Sequence, residues 1–520
     1  MTIRHCSTKG LVRMTNRKLQ RIAIIMALAS CHAPLIAAGP AEQRTADALR
    51  RIERIDPMVN AVLALDPTAL EQARRVDRQR RAGPLAGQPI LIKDNIEVAG
   101  LPTTAGSLAL KDNMTGRDAP LVTRLRGAGA VLIGKSNLSE WANIRSNNSI
   151  SGWSALGGQT RNPHALDRNP CGSSSGSGAA VGAGLIDYAI GTETDGSITC
   201  PAAINGIVGM KPTIGLVSRT HIVPISASQD TAGPMTRTVR QAAELLGAIA
   251  GSDPADPATR EADARRTDYA AALDTAALRG KRLGVMRFAS GFGTDAPFEA
   301  ALDVLRAQGA TLVEIAKFDD KDIGDNEFTV LLTEFKVGLD TYLSTSPAKI
   351  PVRSLADVIA FNITNGGREL ALFGQQTFDK AQATKGLMDP DYIKARQVSF
   401  AAAGPNGIDK LLKENKVVAL VGPTMPPAWK IDAVNGDQIS GGGAGSLAAV
   451  AGYPHLTVPM GQVKGLPVGL SFIGPKWSDA AILSLGHAYE QARGPLPGPR
   501  FLPSIEQSPE IAPLLMKPKR

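Results

Sequence analysis

The chain alternates short apolar runs with longer segments in which apolar residues recur every three or four positions. Short apolar runs between polar or glycine-rich residues are typical of buried strands, and the periodic segments are typical of helices packed on a sheet. Strands are predicted at 89–92, 130–133, 185–190, 282–286, 311–315, 417–421, 456–458 and 468–473. Helices are predicted at 45–55, 67–81, 121–126, 179–184, 239–250, 298–308 and 480–491. This alternation predicts an α/β layered fold.

Residues 41–520 contain no internal repeat and few clear boundaries, so we expect one large domain over this range. Its core is predicted at about 85–240. The segment at about 326–415 is mostly helical and more polar, a composition that suits a cap over a site.

The net charge of +9 belongs mostly to the N-terminus. Residues 1–30 hold six Lys and Arg and no acidic residue, which leaves 51 basic against 48 acidic residues in the rest of the chain. A nucleic-acid partner needs a basic footprint on the folded domain. The small remaining excess of +3 argues against such a partner.

Residues 1–30 have the layout of a bacterial export signal, with translation starting at Met14. A charged part precedes an apolar run over 22–29 and then small residues. The run is too short to span a bilayer. The sequence from Leu28 to Cys31 resembles a lipoprotein processing box, which would anchor the protein to a membrane through Cys31; ordinary cleavage after 27–29 is the alternative. We therefore expect a periplasmic or membrane-anchored protein.

The remaining cysteines of interest are Cys171 and Cys200, and we expect both to be free thiols because buried cysteines are most often unpaired. An exported protein has the alternative of oxidising this pair. Neither a CxxC motif nor a His/Cys cluster occurs. No metal site is therefore predicted.

The chemistry is predicted in two glycine- and serine-rich loops, Cys171–Gly178 and Gly191–Pro201. A flexible linker is the structureless alternative. Both loops are instead embedded in apolar sequence, which favours close backbone approach. Two such loops can place serine hydroxyls and a row of backbone N–H groups around one point, as attack on a carbonyl requires.

Two motif matches lead to other functions. Residues 129–136 fit the phosphate-loop pattern, but the residues between its glycines favour a strand, so we reject nucleotide binding. Residues 172–176 fit the nucleophile elbow of α/β-hydrolases, which follows a strand directly and needs a late histidine. The residues before 172 predict a loop instead of a strand, which argues against this motif. A serine esterase that uses Ser174 with His455 or His487 nevertheless remains the alternative mechanism.

Lys93 is the candidate base, since the chain has six histidines and Ser-Lys pairs are a known alternative. It ends an apolar strand, where its amine would lose water. A neutral lysine at pH 7 requires a pKa shift of about 3.4 units, or about 4.6 kcal/mol. Asp94 and Glu97 would raise the pKa if they faced the amine.

These residues resemble the amidase signature family, and within it the chain is most similar to bacterial peptide amidases. The resemblance extends over roughly 45–495. Besides the two loops, it rests on blocks at 87–96 (GQPILIKDNI), 134–142, 149–163, 209–213 (GMKPT), 230–234 and 465–470.

The resemblance implies a large, mostly parallel or mixed central sheet wrapped by helices. It also implies catalytic roles for Lys93 as base, Ser173 as bridging serine and Ser197 as nucleophile. The backbone N–H groups of the loop would form the oxyanion hole, at Thr194, Asp195, Gly196 and Ser197. The chain departs from the general family pattern at Cys171, Ser175, Asp195 and Thr199. Of these, Asp195 and Thr199 line or neighbour the oxyanion loop and therefore bear on the substrate subclass.

We therefore expect an exported amidase that hydrolyses a primary carboxamide of a small molecule or peptide, with the C-terminal amide of a peptide as candidate substrate. Such an enzyme would need no cofactor. Three alternatives stay open: the esterase, a glutamine-hydrolysing component of an amidotransferase, and a non-catalytic surface lipoprotein. Candidate residues for the walls of the substrate pocket are Trp141, Trp153 and the segment 423–429. Packing in the core is the alternative role of these residues.

Overall fold

The computed structural model describes residues 38–516, and 39–516 belong to one compact unit. The predicted export signal and Cys31 lie outside the described residues. Among the described residues, no helix is both long and apolar enough to cross a membrane.

Within residues 38–516, eleven strands form one central sheet, and β4 and β5 form a separate small hairpin. The strands are β1 Val62–Leu65, β2 Pro89–Lys93, β3 Val131–Ser136, β4 Trp153–Ser154, β5 Gly158–Gln159, β6 Tyr188–Glu193, β7 Val208–Lys211, β8 Thr231–Thr236, β9 Arg282–Met286, β10 Thr311–Ile315, β11 Ala419–Pro423, β12 His455–Val463 and β13 Leu466–Ile473.

The helices surround this sheet. They are α1 Pro40–Val59, α2 Ala69–Gln79, α3 Pro120–Gly127, α4 Ser175–Gly182, α5 Thr199–Ile204, α6 Val239–Ile249, α7 Ala262–Arg265, α8 Asp295–Ala307, α9 Gly324–Thr345, α10 Leu355–Thr364, α11 Gly366–Glu369, α12 Gln376–Gln382, α13 Pro390–Ala403, α14 Lys410–Asn415, α15 Gly445–Ala451, α16 Asp479–Ala492 and α17 Ala512–Leu515.

The sheet is mixed, with the order β1-β3-β2-β6-β8-β7-β12-β13-β11-β9-β10. The β2–β3, β2–β6, β9–β10 and β9–β11 pairs are parallel, and the other pairs are antiparallel. The predicted α/β fold with a mixed sheet wrapped by helices is confirmed.

Both faces of the central strands are covered, which explains why they read as continuous apolar runs. Along β2, Ile90 and Ile92 pack into one hydrophobic cluster with residues of α3, α6 and α16, while Leu91 packs into another with α1, α2 and α4. Every residue of β2, Lys93 included, is buried. The polar end of this strand therefore lies in a dry interior.

The sequence pattern missed β1, β7 and β8 of the central sheet and the β4–β5 hairpin, and it misplaced some strand ends. β8 contains Gly233 and Pro234, residues that are depleted in strands, and it is nevertheless fully buried between β6 and β7. The strand predicted at 185–190 is β6, which begins three residues later. Residues 129–136, the rejected phosphate loop, contain β3.

One glycine in α4 allows the first loop to approach the sheet. A Cβ at Gly176 would lie 2.5 Å from the carbonyl oxygen of Asn137 and closer still to that of Ala61. Real Cβ atoms do not approach backbone oxygens at such distances. The backbone of α4 therefore sits against these two chain segments only if residue 176 is glycine.

We expect Gly176→Ala to lower the free energy of unfolding by about 3 kcal/mol, because backbone atoms cannot yield to an added methyl group. The matched control is Gly247→Ala in α6, where the nearest atom to a Cβ is a Tyr269 ring carbon at 3.9 Å. The control should be neutral or more stable by up to about 1 kcal/mol, since alanine favours helix. Denaturant unfolding measures both; equal stability of the two variants would contradict this packing.

Candidate active site

The site forms at one edge of the sheet, where β2 and β6 end. These strands are parallel neighbours, with Leu91 paired to Ala189, so their carboxyl ends lie at the same edge. β2 ends on Lys93, and β6 ends on Glu193, which leads into the second glycine-rich loop. Strand order thus brings the candidate lysine to the candidate nucleophile loop.

The Lys93 amine is buried and surrounded by three oxygen atoms. Its Nζ lies 2.7 Å from Ser173 Oγ, 2.8 Å from Thr192 Oγ1 and 3.2 Å from the Thr192 carbonyl oxygen. Asn95 Nδ2 also donates to Thr192 Oγ1 at 3.0 Å, which fixes that hydroxyl in turn. Neither Thr192 nor Asn95 was assigned a role from the sequence, although both lie in the matched blocks.

Burial lowers the pKa of Lys93 to about 7. The negative charges of Asp230 and then Glu193 act in the opposite direction and limit the shift. Removal of water is the dominant cause because a buried ammonium loses its hydration. The amine is therefore neutral in about half of the molecules near pH 7.

Asp94 and Glu97, the two acidic residues expected to raise the pKa of Lys93, form ion pairs with other residues. Asp94 Oδ1 pairs with Lys135 Nζ at 2.7 Å, and both side chains are buried. Glu97 Oε2 pairs with Arg117 Nε at 2.6 Å. Lys135, the lysine of the rejected phosphate loop, thus has a structural partner in this buried ion pair.

The second loop leaves a row of donors free. Gly196 has φ +74°, a conformation that favours glycine. Within residues 38–516, the backbone N–H groups of 194–197 donate no hydrogen bond. The Glu193 carboxylate accepts the next two N–H groups, from Ile198 at 2.8 Å and Thr199 at 2.9 Å. Free and consecutive N–H groups are what the predicted oxyanion hole requires.

Asp230 fixes the start of the same loop. Its Oδ1 accepts the Thr194 hydroxyl at 2.6 Å, and its Oδ2 accepts the N–H groups of Ile225 and Ser226. Burial raises the pKa of Asp230 to about 6, although these hydrogen bonds oppose the rise. Asp230 is the first residue of one of the matched sequence blocks, but the sequence does not indicate that its carboxylate binds the Thr194 hydroxyl.

Ser174 is bound to the backbone, unlike Ser197. Its fully buried Oγ donates to the Thr192 carbonyl at 3.0 Å and accepts the Thr192 N–H at 3.2 Å. His455, the partner required by an esterase, instead lies 2.6 Å from Ser471 Oγ through Nε2, and burial lowers its pKa to about 3. Ser174 thus has neither access to substrate nor a histidine among its hydrogen-bond partners in the described chain.

Cys171 and Cys200 form a disulfide, so the expectation of free thiols is wrong. The Ser174 N–H donates to the Ser197 carbonyl at 3.2 Å, and this contact between the loops brings the cysteines to a Cα–Cα distance of 6.1 Å. A separation of 29 residues in sequence could not reveal that proximity. The bridge ties the Ser173 loop to the helix that follows Ser197.

A cavity of about 750 Å³ opens in front of Ser197. Loop 194–197, the disulfide, α9 and residues 439–447 contribute to its wall. Its apolar lining includes Phe288, Phe292, Phe318, Met425 and Ile439. The chain has room here for a substrate considerably larger than a single amino acid.

The predicted tryptophan walls belong to the core. The Trp141 ring packs edge-on against the Phe378 ring, with 5.9 Å between the ring centroids. The Trp153 ring packs in the same way against the Phe373 ring, with 5.2 Å between the centroids. From the segment 423–429, Met425 lines the cavity. Glu327 of α9 also lines it, a residue that no sequence pattern had singled out.

Comparisons with known proteins identify the relatives of this chain. The family model described as Amidase matches residues 43–483. The solved structure of native peptide amidase from Stenotrophomonas maltophilia is 51% identical with a TM-score of 0.84, over 89% of this chain and 95% of that one. A "probable amidase" of Arabidopsis thaliana is 39% identical over 470 residues, 87% of each chain. One glutamyl-tRNA(Gln) amidotransferase subunit, from Exiguobacterium sibiricum, is 36% identical over 460 residues, 85% of this chain and 92% of the relative.

We expect reduction of the Cys171–Cys200 bridge to lower the free energy of unfolding by about 3 kcal/mol, because the bridge restricts the unfolded chain. Thermal unfolding with and without reductant measures this loss. The double variant Cys171→Ala/Cys200→Ala serves as control: it should start at the lower stability and not respond to reductant. A wild type that is as stable in reductant as without it would contradict a structural bridge.

Proposed function

The chain belongs to the amidase signature family and is an amidase, and from this premise we propose that it hydrolyses a primary carboxamide through a Ser-Ser-Lys relay. The products are a carboxylic acid and ammonia. The observation that carries the proposal is the buried contact of 2.7 Å between Lys93 Nζ and Ser173 Oγ, beside the free N–H groups of the Ser197 loop.

A neutral amine matches the surroundings of Lys93. It has two N–H donors and one lone pair. The two Thr192 oxygens provide two acceptors, and the Ser173 hydroxyl can then donate its proton to the lone pair. In this state Lys93 acts as base and Ser173 as a proton bridge.

The reaction proceeds in two halves. Ser197 Oγ attacks the amide carbon while its proton passes to Ser173, whose own proton passes to Lys93. The N–H groups of 194–197 bind the oxyanion. Return of the proton to the leaving nitrogen releases ammonia and leaves an acyl-enzyme. Water then attacks the ester while Lys93 again takes the proton through Ser173. As the ester bond breaks, the proton returns through Ser173 to Ser197 Oγ, which releases the acid and regenerates Ser197.

The C-terminal amide of a peptide is the substrate that we favour. The relative at 51% identity is named a peptide amidase, and the cavity of about 750 Å³ offers room for a peptidyl acyl group. Similarity to the amidotransferase relative at 36% identity keeps glutamine as the alternative substrate. Parallel assays with free glutamine separate the two.

Export remains part of this proposal. It rests on the charged and apolar N-terminal residues and on the lipoprotein-like box ending at Cys31. Mass spectrometry of the protein from its native membrane fraction would test it: a lipidated N-terminal Cys31 supports anchoring, and an uncleaved N-terminus contradicts export.

Ser197→Ala should abolish ammonia release from a C-terminally amidated dipeptide, because Ser197 provides the hydroxyl that forms the acyl-enzyme in the proposed relay. The control is Ser174→Ala, which removes a hydroxyl bound to the Thr192 backbone and should keep measurable activity. Equal release by the wild type and Ser197→Ala would overturn the nucleophile assignment. Loss of release in Ser174→Ala alone would revive the esterase-type elbow.

We expect kcat/KM to rise with pH and reach half its plateau near pH 7, because the neutral form of Lys93 is the base and burial lowers its pKa to about 7. Asp230→Asn should move this midpoint to lower pH, since the Asp230 charge raises the pKa of Lys93. Initial rates between pH 5 and 10 measure both profiles. If the midpoint in Asp230→Asn were unchanged or higher, the rise of kcat/KM with pH could not be assigned to the deprotonation of Lys93.

A further inference from the structure

The cavity in front of Ser197 carries negative charge and no positive side chain. None of its lining residues, all within the described chain, is Lys, Arg or His. The carboxylates among them are Asp195, Asp320, Glu327 and Asp437. Asp437 is committed to the fold, because its oxygens accept the Ser151 N–H, the Ser151 hydroxyl and the Trp429 indole N–H.

The carboxylates of Asp195 and Glu327 each accept only one hydrogen bond from the described chain. Ser446 Oγ donates to Asp195 Oδ2 at 3.0 Å, and Gln229 Nε2 donates to Glu327 Oε1 at 2.7 Å. From residues 38–516, the second oxygen of each carboxylate receives no hydrogen bond, and neither side chain forms an ion pair. Glu327 is only 7% exposed and lines the cavity. A buried carboxylate without a cationic partner is costly.

The protonation of the two carboxyls reflects this missing partner. Burial raises the pKa of Asp195 to about 6. Burial, and then the charge of Asp195, raises the pKa of Glu327 to about 8. Two carboxyl groups without an ion-pair partner in the lining of one cavity favour a bound cation and oppose a bound carboxylate.

We infer that Asp195 and Glu327 select amides whose acyl part carries a cationic group, an ammonium or a guanidinium, and disfavour amides that carry a carboxylate there. The inference rests on the proposed function and names its substrate class. The apolar residues of the same cavity, Phe292, Met425 and Ile439 among them, would contact the hydrocarbon stem that bears the charge.

The test compares pairs of amides that differ by one charge. For a side-chain cation the pair is Nα-acetyl-lysinamide and the uncharged Nα-acetyl-norleucinamide. For a terminal ammonium it is glycyl-norleucinamide and acetylglycyl-norleucinamide. We expect kcat/KM, measured by ammonia release at pH 7, to favour the charged member of at least one pair by about tenfold, as for a hydrogen bond between charged groups.

The double variant Asp195→Asn/Glu327→Gln should reduce that preference to less than about threefold, because it removes the charge that provides the discrimination. The matched control is Asp322→Asn/Asp325→Asn, which removes two exposed carboxylates beside the first turn of α9 that do not line the cavity. The control should keep the wild-type preference. An equal loss of preference in both variants would overturn the assignment to Asp195 and Glu327.

One comparison needs no variant. The wild type should cleave the α-amide of Nα-acetyl-glutamate more slowly than Nα-acetyl-norleucinamide, whereas equal or faster cleavage would overturn the inference. Ratios near one for both charged pairs would also overturn it, while cleavage of the neutral amides would leave the proposed function intact. No cleavage of any amide would instead refute the proposed function, and the inference with it.

Discussion

The chemistry that we propose for this fold depends on keeping the Lys93 amine away from water. The lysine ends a strand that is covered on both faces, and its amine contacts Ser173 and Thr192 where bulk water would otherwise solvate it. Burial moves its pKa to about 7 and thereby creates a base without histidine. That shift costs folding free energy of about 4 to 5 kcal/mol at neutral pH, which the large core must offset.

A base of this kind is useful only if its partners are held in place, and three connections between or within the loops hold them. The disulfide joins the residues flanking Ser173 and Ser197, and the Ser174 N–H bonds to the Ser197 carbonyl. The Glu193 carboxylate anchors the start of α5. Because these contacts satisfy the neighbouring backbone groups, the N–H groups of 194–197 stay free for an oxyanion.

Much of the fold could be predicted because the buried strands are apolar and the helices are periodic. The exceptions have physical causes: β8 contains a glycine and a proline, which are depleted in strands, and the disulfide joins residues that are distant in sequence. The sequence suggested Lys93 as a base through its place at the end of an apolar strand, whereas the roles of Ser173 and Ser197 were assigned through resemblance to a family. The roles of Thr192, Asp230 and Glu327 arise from tertiary contacts with no local pattern, so sequence reasoning had no signal for them.

The most direct test of this account is an NMR titration of Lys93 in protein labelled with ¹³Cε-lysine, with its resonance assigned by Lys93→Met. A titration midpoint near pH 7, well below the ordinary lysine value, is the result that the account predicts. It would establish a neutral amine available to Ser173 in the resting protein. A midpoint near or above pH 10 would mean that Lys93 remains an ammonium, and the Ser-Ser-Lys relay would then lose its base.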